Sequence, residues 1–209
     1  MSFALANLPP VTSLTTALRT MEKDVGPVGS VILKMDKGGH WVYGANQTEV
    51  ESDSTWAVNP FSFIHGYIAW GDGEVLGEMM VPVTEPKPEL PPVPHGASKG
   101  WEVQVGMSLK CLSGPDEGLE VRYTTTSVGG KRAVNTLGLA IAGQCESAPG
   151  KPVPVVSLKK DSYQHKSYGK IYTPVFEIQQ WVSMDGQADE AAEAAATDEA
   201  APARRRRAG

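Results

Sequence analysis

Glycine and proline set the limits on this fold: the chain has 22 of the first and 16 of the second in 209 residues. Proline removes a backbone donor and glycine weakens a helix interior. An all-α chain would not tolerate this much punctuation, whereas short strands joined by turns accommodate it. The expected class is therefore mainly β. A hydrophobic fraction of 41% with 21% charged residues is that of a soluble globular body with one sizeable core.

The breakers also divide the chain. Thr12 or Ser13 can cap a short helix with Leu14, Leu18 and Met21 at helical spacing, ended by Gly26-Pro27. Ser30 to Asp36 and His40 to Tyr43 form a hairpin about Lys37-Gly38-Gly39. Thr55 to Val58 and Ser62 to Trp70 are short strands separated by Asn59-Pro60, and Glu74 to Val83 follows Gly71-Asp72-Gly73. Prolines 86, 88, 91, 92 and 94, with Pro82 just before, make residues 82–98 an extended connector. Beyond it, Trp101 to Leu112 and Leu119 to Ser127 are strands about the 113–118 turn. Gly129-Gly130 breaks the second of these, and Lys131 to Gly143 is a short helix with Val134, Leu137 and Ile141 on one face. Val153 to Leu158 is a strand, Asp161 to Gly169 a loop, and Lys170 to Val182 the last strand.

Strand, strand, helix, strand, strand is the order of an OB-like Greek-key barrel with one strand missing, to be supplied by a bent continuation of the first strand or by the N-terminal block. The expected layout is an N-terminal arm at 1–28, one β-rich OB-like domain at 29–184, and a disordered tail at 185–209. That tail is acidic, has almost no apolar bulk to bury, and ends in Arg204 to Arg207.

Charge is unevenly placed. Residues 1–98 carry 5 Lys and Arg against 11 acids, residues 99–184 carry 10 against 7, and residues 185–209 carry 4 against 6. The total of −5 argues against coating duplex DNA by bulk charge, but a local cationic groove is compatible with it.

Within the basic block, KKDSYQHKSYGKIYTPVFEIQQW alternates cations with rings. Such alternation suits single-stranded nucleic acid, whose phosphates attract lysine and whose unpaired bases stack on aromatics. An ordinary half-buried hairpin, rings inward and ammonium groups in water, gives the same pattern. On the first reading Trp101, Tyr123, Tyr163, Tyr168 and Tyr172 are stacking candidates. Lys110, Arg122, Lys131, Arg132, Lys159, Lys160, Lys166 and Lys170 are phosphate candidates, and His165 can stack or donate. Tyr163, Lys166, Tyr168 and Lys170 form the centre of that set, while Trp70, Phe176 and Trp181 are assigned to the core.

Other chemistries lack their signatures. Gly129-Gly130-Lys131-Arg132 has neither the earlier glycine nor the hydroxyl of a phosphate-binding loop. Glu74 and Glu78 share a strand face, which reads more simply as a solvated face than as a nuclease site. His40, His65, His95, His165, Cys111 and Cys145 are dispersed without ligand spacing, and GxSxG is absent. No enzyme activity, cofactor or metal is therefore expected. Two cysteines make no disulfide framework, no secretory signal is evident, and the longest apolar run is far short of the roughly 20 residues that span a bilayer. A bacterial cytoplasmic setting is expected, with the oligomeric state left open.

The phrases FSFIHGYIAWGDGEVLGEMMVPV, WEVQVGMSLKCL and SYQHKSYGKIYTPVFEIQQW, with the proline connector, resemble a group of tailed-bacteriophage and prophage proteins over about Gly29 to Ser183. The resemblance implies an OB-fold protein that binds single-stranded DNA in replication or recombination. It also implies replication or recombination proteins as partners of the acidic tail, although this tail ends in RRRRAG rather than in acids. A phage structural or protein-interaction module without nucleic-acid binding is the alternative.

Overall fold

A bend at Pro60 decides the topology. In the computed structural model, which describes residues 31–186, Asn59 Oδ1 accepts the Phe61 N–H at 2.9 Å. The Ser62 hydroxyl donates to the Asn59 carbonyl at 2.7 Å and accepts the Ser108 N–H at 2.8 Å. This clamp makes a single 3-10 turn at Pro60–Ser62 between β4 (Thr55–Val58) and β5 (Ile64–Gly71). The two strands lie along the same edge of β7 (Trp101–Cys111), β5 against residues 101–106 and β4 against residues 109–111. Thr55–Gly71 is thus one bent strand, and it supplies the strand missing from the Greek-key order.

The rest follows that order. β7 pairs with β8 (Glu120–Thr125), α1 (Val128–Ser147) crosses over, and β9 (Val153–His165) returns beside β4 and forms a hairpin with β10 (Gly169–Val182). The bent strand pairs with both the second and the fourth strands, and the helix follows the third, as in an OB-like barrel. β1 (Val31–Met35), β2 (Trp41–Tyr43) and β3 (Thr48–Glu49) extend the sheet beyond β8, while β6 (Glu74–Pro82) extends it beyond β5.

Among the described residues β8 and β10 are not ladder partners, so the sheet is a curled half-barrel. Side chains close the seam instead. Trp41, Tyr123 and Phe176, from β2, β8 and β10, meet with ring centroids 5.4–5.6 Å apart at interplanar angles of 52–75°. Such tilted pairs contribute about 0.5–1.5 kcal/mol each beyond area burial. The Trp41 indole N–H donates to the Lys159 carbonyl at 3.0 Å, tying the β1–β2 hairpin to β9. Trp56, Leu33, Met107, Leu109, Val58, Val155 and Val156 fill the interior.

The helix is longer than its sequence suggests. Ser127 caps it by accepting the Gly130 N–H at 3.0 Å, and Gly130, Val134, Leu137 and Ile141 form its buried stripe. Gly129 and Gly130 open the helix; they do not end the strand. A Cβ at Gly129 would lie 2.6 Å from the Thr173 methyl, and one at Gly130 2.4 Å from the Thr125 hydroxyl. Close approach of helix and sheet selects glycine here despite a propensity cost of about 1 kcal/mol each.

One further expectation changes. Asp161 to Gly169 is no loop: β9 and β10 stay paired from Lys159↔Val175 to His165↔Gly169, leaving only residues 166–168 as the turn. The connector expected at 82–98 lacks strands from residue 83 onward, Pro82 still pairing with Ile64 at the end of β6, and it is pinned by the Ser98 N–H on the Trp70 carbonyl and the Trp101 indole on the Pro91 carbonyl. The helix expected near Thr12 and the tail beyond Gly186 lie outside the described residues. No helix among the described residues is long and apolar enough to cross a membrane.

Candidate nucleic-acid interface

Strand alternation sorts the Tyr and Lys block onto two faces of the β9–β10 ribbon. Lys170, Tyr172, Pro174 and Phe176 share one face with their register partners Gln164, Ser162, Lys160 and Leu158. Tyr163, Lys159 and His165 share the other with Ile171, Thr173 and Val175. Lys166 and Tyr168 sit in the turn. The four residues at the centre of the sequence expectation are therefore not one surface: Tyr163 and Lys170 point to opposite sides.

The first face looks across a groove of about 750 Å³. One wall is Lys170, Tyr172 and Pro174 of that face with Tyr168 of the turn, and Ile171 of the other face also reaches the lining; the facing wall is β8 and its continuation to Ser127, with Lys34 to Lys37 of the β1–β2 hairpin. Trp70 and Gln104 complete the lining. Lys34, Lys37 and Lys170 line the groove against one carboxylate, that of Asp36. The His40 backbone N–H, 2.8 Å away, holds this carboxyl below its ordinary range, and the His40 ring adds to the effect. None of the ion pairs among the described residues involves Lys34, Lys37, Lys160 or Lys170. Unpaired ammonium groups beside exposed rings are what a phosphate chain with unpaired bases would use.

The rings have different duties. Tyr168 is 79% exposed at the ribbon turn, with its ring 4.8 Å from that of His165. Nδ1 of His165 accepts the Ser167 and Tyr168 N–H groups, so the imidazole fixes the turn and presents Tyr168. Tyr172 has the Lys160 and Lys170 ammonium groups 5.1 and 5.0 Å from its ring centroid. A Cβ on Gly39 would come within 2.6 Å of that ring, so the glycine lets the hairpin turn close against it. Tyr172 holds two cations together as well as lining the groove.

Several candidates fall elsewhere. Tyr123 is buried between Trp41 and Phe176, so it is a core ring with no face free for a base. Burial pushes its phenol up to about 12. Trp101 is half-buried, with its ring lying against Gly77 and its N–H on the Pro91 carbonyl, and so it anchors the connector. Lys110 pairs with Glu120 at 3.4 Å, and Arg122 lies two ladder steps further along β8. Glu120 and Thr125 bound β8, about 17 Å apart for an extended strand, which places Lys110 at the end remote from the groove. Lys131 lines a separate cavity beneath α1 with Phe63 and His65, while Arg132 lines a groove between α1 and the outer edge of β10. Lys159 is exposed on the ribbon's second face, and its carbonyl serves Trp41.

Trp70 changes role. Its place in an apolar strand suggested the core, but at the end of β5 its ring is 40% exposed and lines the groove. Phe176 is buried as expected, and Trp181 is half-buried. Lys34, Lys37 and the hydroxyls at 124–127 were not candidates either. Thr125 and Ser127 bond to each other at the helix cap, leaving the Thr124 and Thr126 side chains unpartnered among the described residues. Hydroxyls beside unpaired lysines near strand ends are too common in sequence to single out before register is known. No three His, Cys, Asp or Glu side chains gather into a metal-binding group among the described residues.

No protein-family model matches the chain, and no curated protein or solved structure is significantly similar to it.

Proposed function

We propose that this is a single-stranded DNA-binding protein that acts without catalysis, holding the strand in the groove between β8, the β1–β2 hairpin and the β9–β10 ribbon. One observation carries the reading: exposed Trp70 and Tyr168 and the ion-pair-free Lys34, Lys37 and Lys170 line one groove. The groove runs beside the second and third strands of the OB-like order, a face that such barrels use for oligonucleotides. Bases stack on the rings and phosphates meet the lysines, so binding is sequence-tolerant and weakens with salt. The resemblance to phage and prophage proteins supports a role in replication or recombination in a bacterial cytoplasm.

The test is fluorescence anisotropy of a labelled thymine oligonucleotide at two salt concentrations, with a duplex of equal length as control. Salt-weakened binding that favours the single strand is the expected result. Absence of binding at low salt rejects the proposal. It would favour instead a protein-interaction module, for which Phe61 and Leu139, 79% and 66% exposed, are the supporting observation.

A further inference from the structure

Between α1 and the outer edge of β10 lies a second groove of about 710 Å³, lined by Thr173 and Val175 of the second ribbon face and by Pro174 and Phe176 of the first, which the proposed function leaves unused. Tyr163, 52% exposed, and Arg132 line it, and among the described residues no carboxylate does. Arg132, like the lysines of the first groove, takes no part in the ion pairs among the described residues. The two grooves adjoin. Pro174 lines both, and along the facing wall Ser127 lines the first while its neighbours Val128 and Gly129 line the second.

We infer that the two grooves are one track, in which a single strand leaves the first groove past Ser127 and Pro174, crosses the outer edge of β10, and continues to a second subsite at Arg132 and Tyr163. The inference rests on the single-strand reading above. Its occupant follows from continuity with the first groove and from the guanidinium, which suits a phosphate, beside an exposed ring, which suits a base. The apolar floor of Ala133, Leu137, Val175 and Ile178 offers a surface for the flat face of a base and little to a hydrated cation or acidic side chain. It also accounts for why the sequence spends tyrosines on both faces of the ribbon. β10 has β9 as its ladder partner on one side among the described residues; at its other edge the first turn of α1 closes on Thr173 through Gly129, so the nucleic-acid strand passes over that contact, which itself lines the second groove.

A strand that uses only the first groove is short; one that crosses β10 is longer. The test is therefore the affinity of the full chain for thymine oligonucleotides of about 4 and about 16 nucleotides, the limits of the range for one OB fold. It compares the wild type with Arg132→Ala and Tyr163→Ala. Both side chains are exposed, and matching circular dichroism checks that the variants fold. The expected result is a roughly 5- to 100-fold loss for the long oligonucleotide and less than about twofold for the short one. Equal losses for both lengths, or none for either, with wild-type binding intact, would overturn the second subsite and leave the first groove standing. Failure of the wild type to bind either length would remove both.

Discussion

The two ends of the β7–β8 hairpin hold similar residues in opposite states. At the Glu120 end, Lys110 is held by Glu120 at 3.4 Å, and Tyr43 donates to Asp116 at 2.6 Å. That hydrogen bond raises the Tyr43 phenol to about 12. At the Thr125 end, Lys34, Lys37 and Lys170 have no acidic partner among the described residues, and Tyr168 is open to solvent. A lysine whose charge is offset by a neighbouring carboxylate attracts a phosphate less than one with no acid beside it, which releases counterions when a phosphate binds. On the proposed reading, therefore, the pairing of basic residues, more than their number, sets where a nucleic acid would bind.

The largest effect that would sharpen this contrast comes from charge. Replacing Lys34, Lys37 and Lys170 together by Ala should weaken single-strand binding by about 10²–10³-fold at low salt and reduce the log–log salt slope by about 2, near 0.7 for each phosphate deprived of its lysine. Lys99→Ala with Lys110→Ala, which removes two cations already paired with Glu102 and Glu120, should change affinity by no more than about threefold. Comparable losses from the two sets, measured by anisotropy titration, would break the comparison.

Next is the contrast between core and exposed rings. Tyr123 sits in the seam with its phenol raised from 10.0 to about 12 by burial. The stability this contributes is complete below pH 10 and is lost as pH rises towards 12, by about 2–3 kcal/mol. Tyr123→Phe should flatten that alkaline loss in urea titrations at pH 9 to 12, with Tyr43 accounting for a smaller remainder.

Trp70→Ala should reduce single-strand affinity by roughly 5- to 100-fold, the value of one stacked base, and should remove most of the tryptophan quenching that accompanies binding. Trp56, fully buried with its indole on the Ser54 hydroxyl, is insulated from such a change. The smallest effect is Ser127→Ala, which removes the α1 cap for about 1 kcal/mol of stability, read as a shift in the urea midpoint.

Much of the barrel was legible in the sequence because turns announce themselves: Lys37-Gly38-Gly39, Gly71-Asp72-Gly73 and the 113–118 segment each separate paired strands. The missing strand was also present, divided by Pro60, but two short strands around a proline do not reveal that they share an edge of β7. The site was less legible. With Asp161 to Gly169 read as a loop there was no register, and without register a tyrosine cannot be assigned a face, since one residue of slip exchanges the two. Trp70 looked like core because its strand is apolar, and only its position at the strand end exposes it. Lys34 and Lys37 lie far from the basic block in sequence, and strand order alone brings them to the groove.

Ultraviolet crosslinking of a thymine oligonucleotide to the full chain, with adducted peptides identified by mass spectrometry, tests the central claim most directly. The account predicts adducts on the peptides that contain Trp70 and Tyr168, lost when unlabelled single strand is added in excess. Adducts confined to the Lys110 and Arg122 end of β7 and β8 would contradict it.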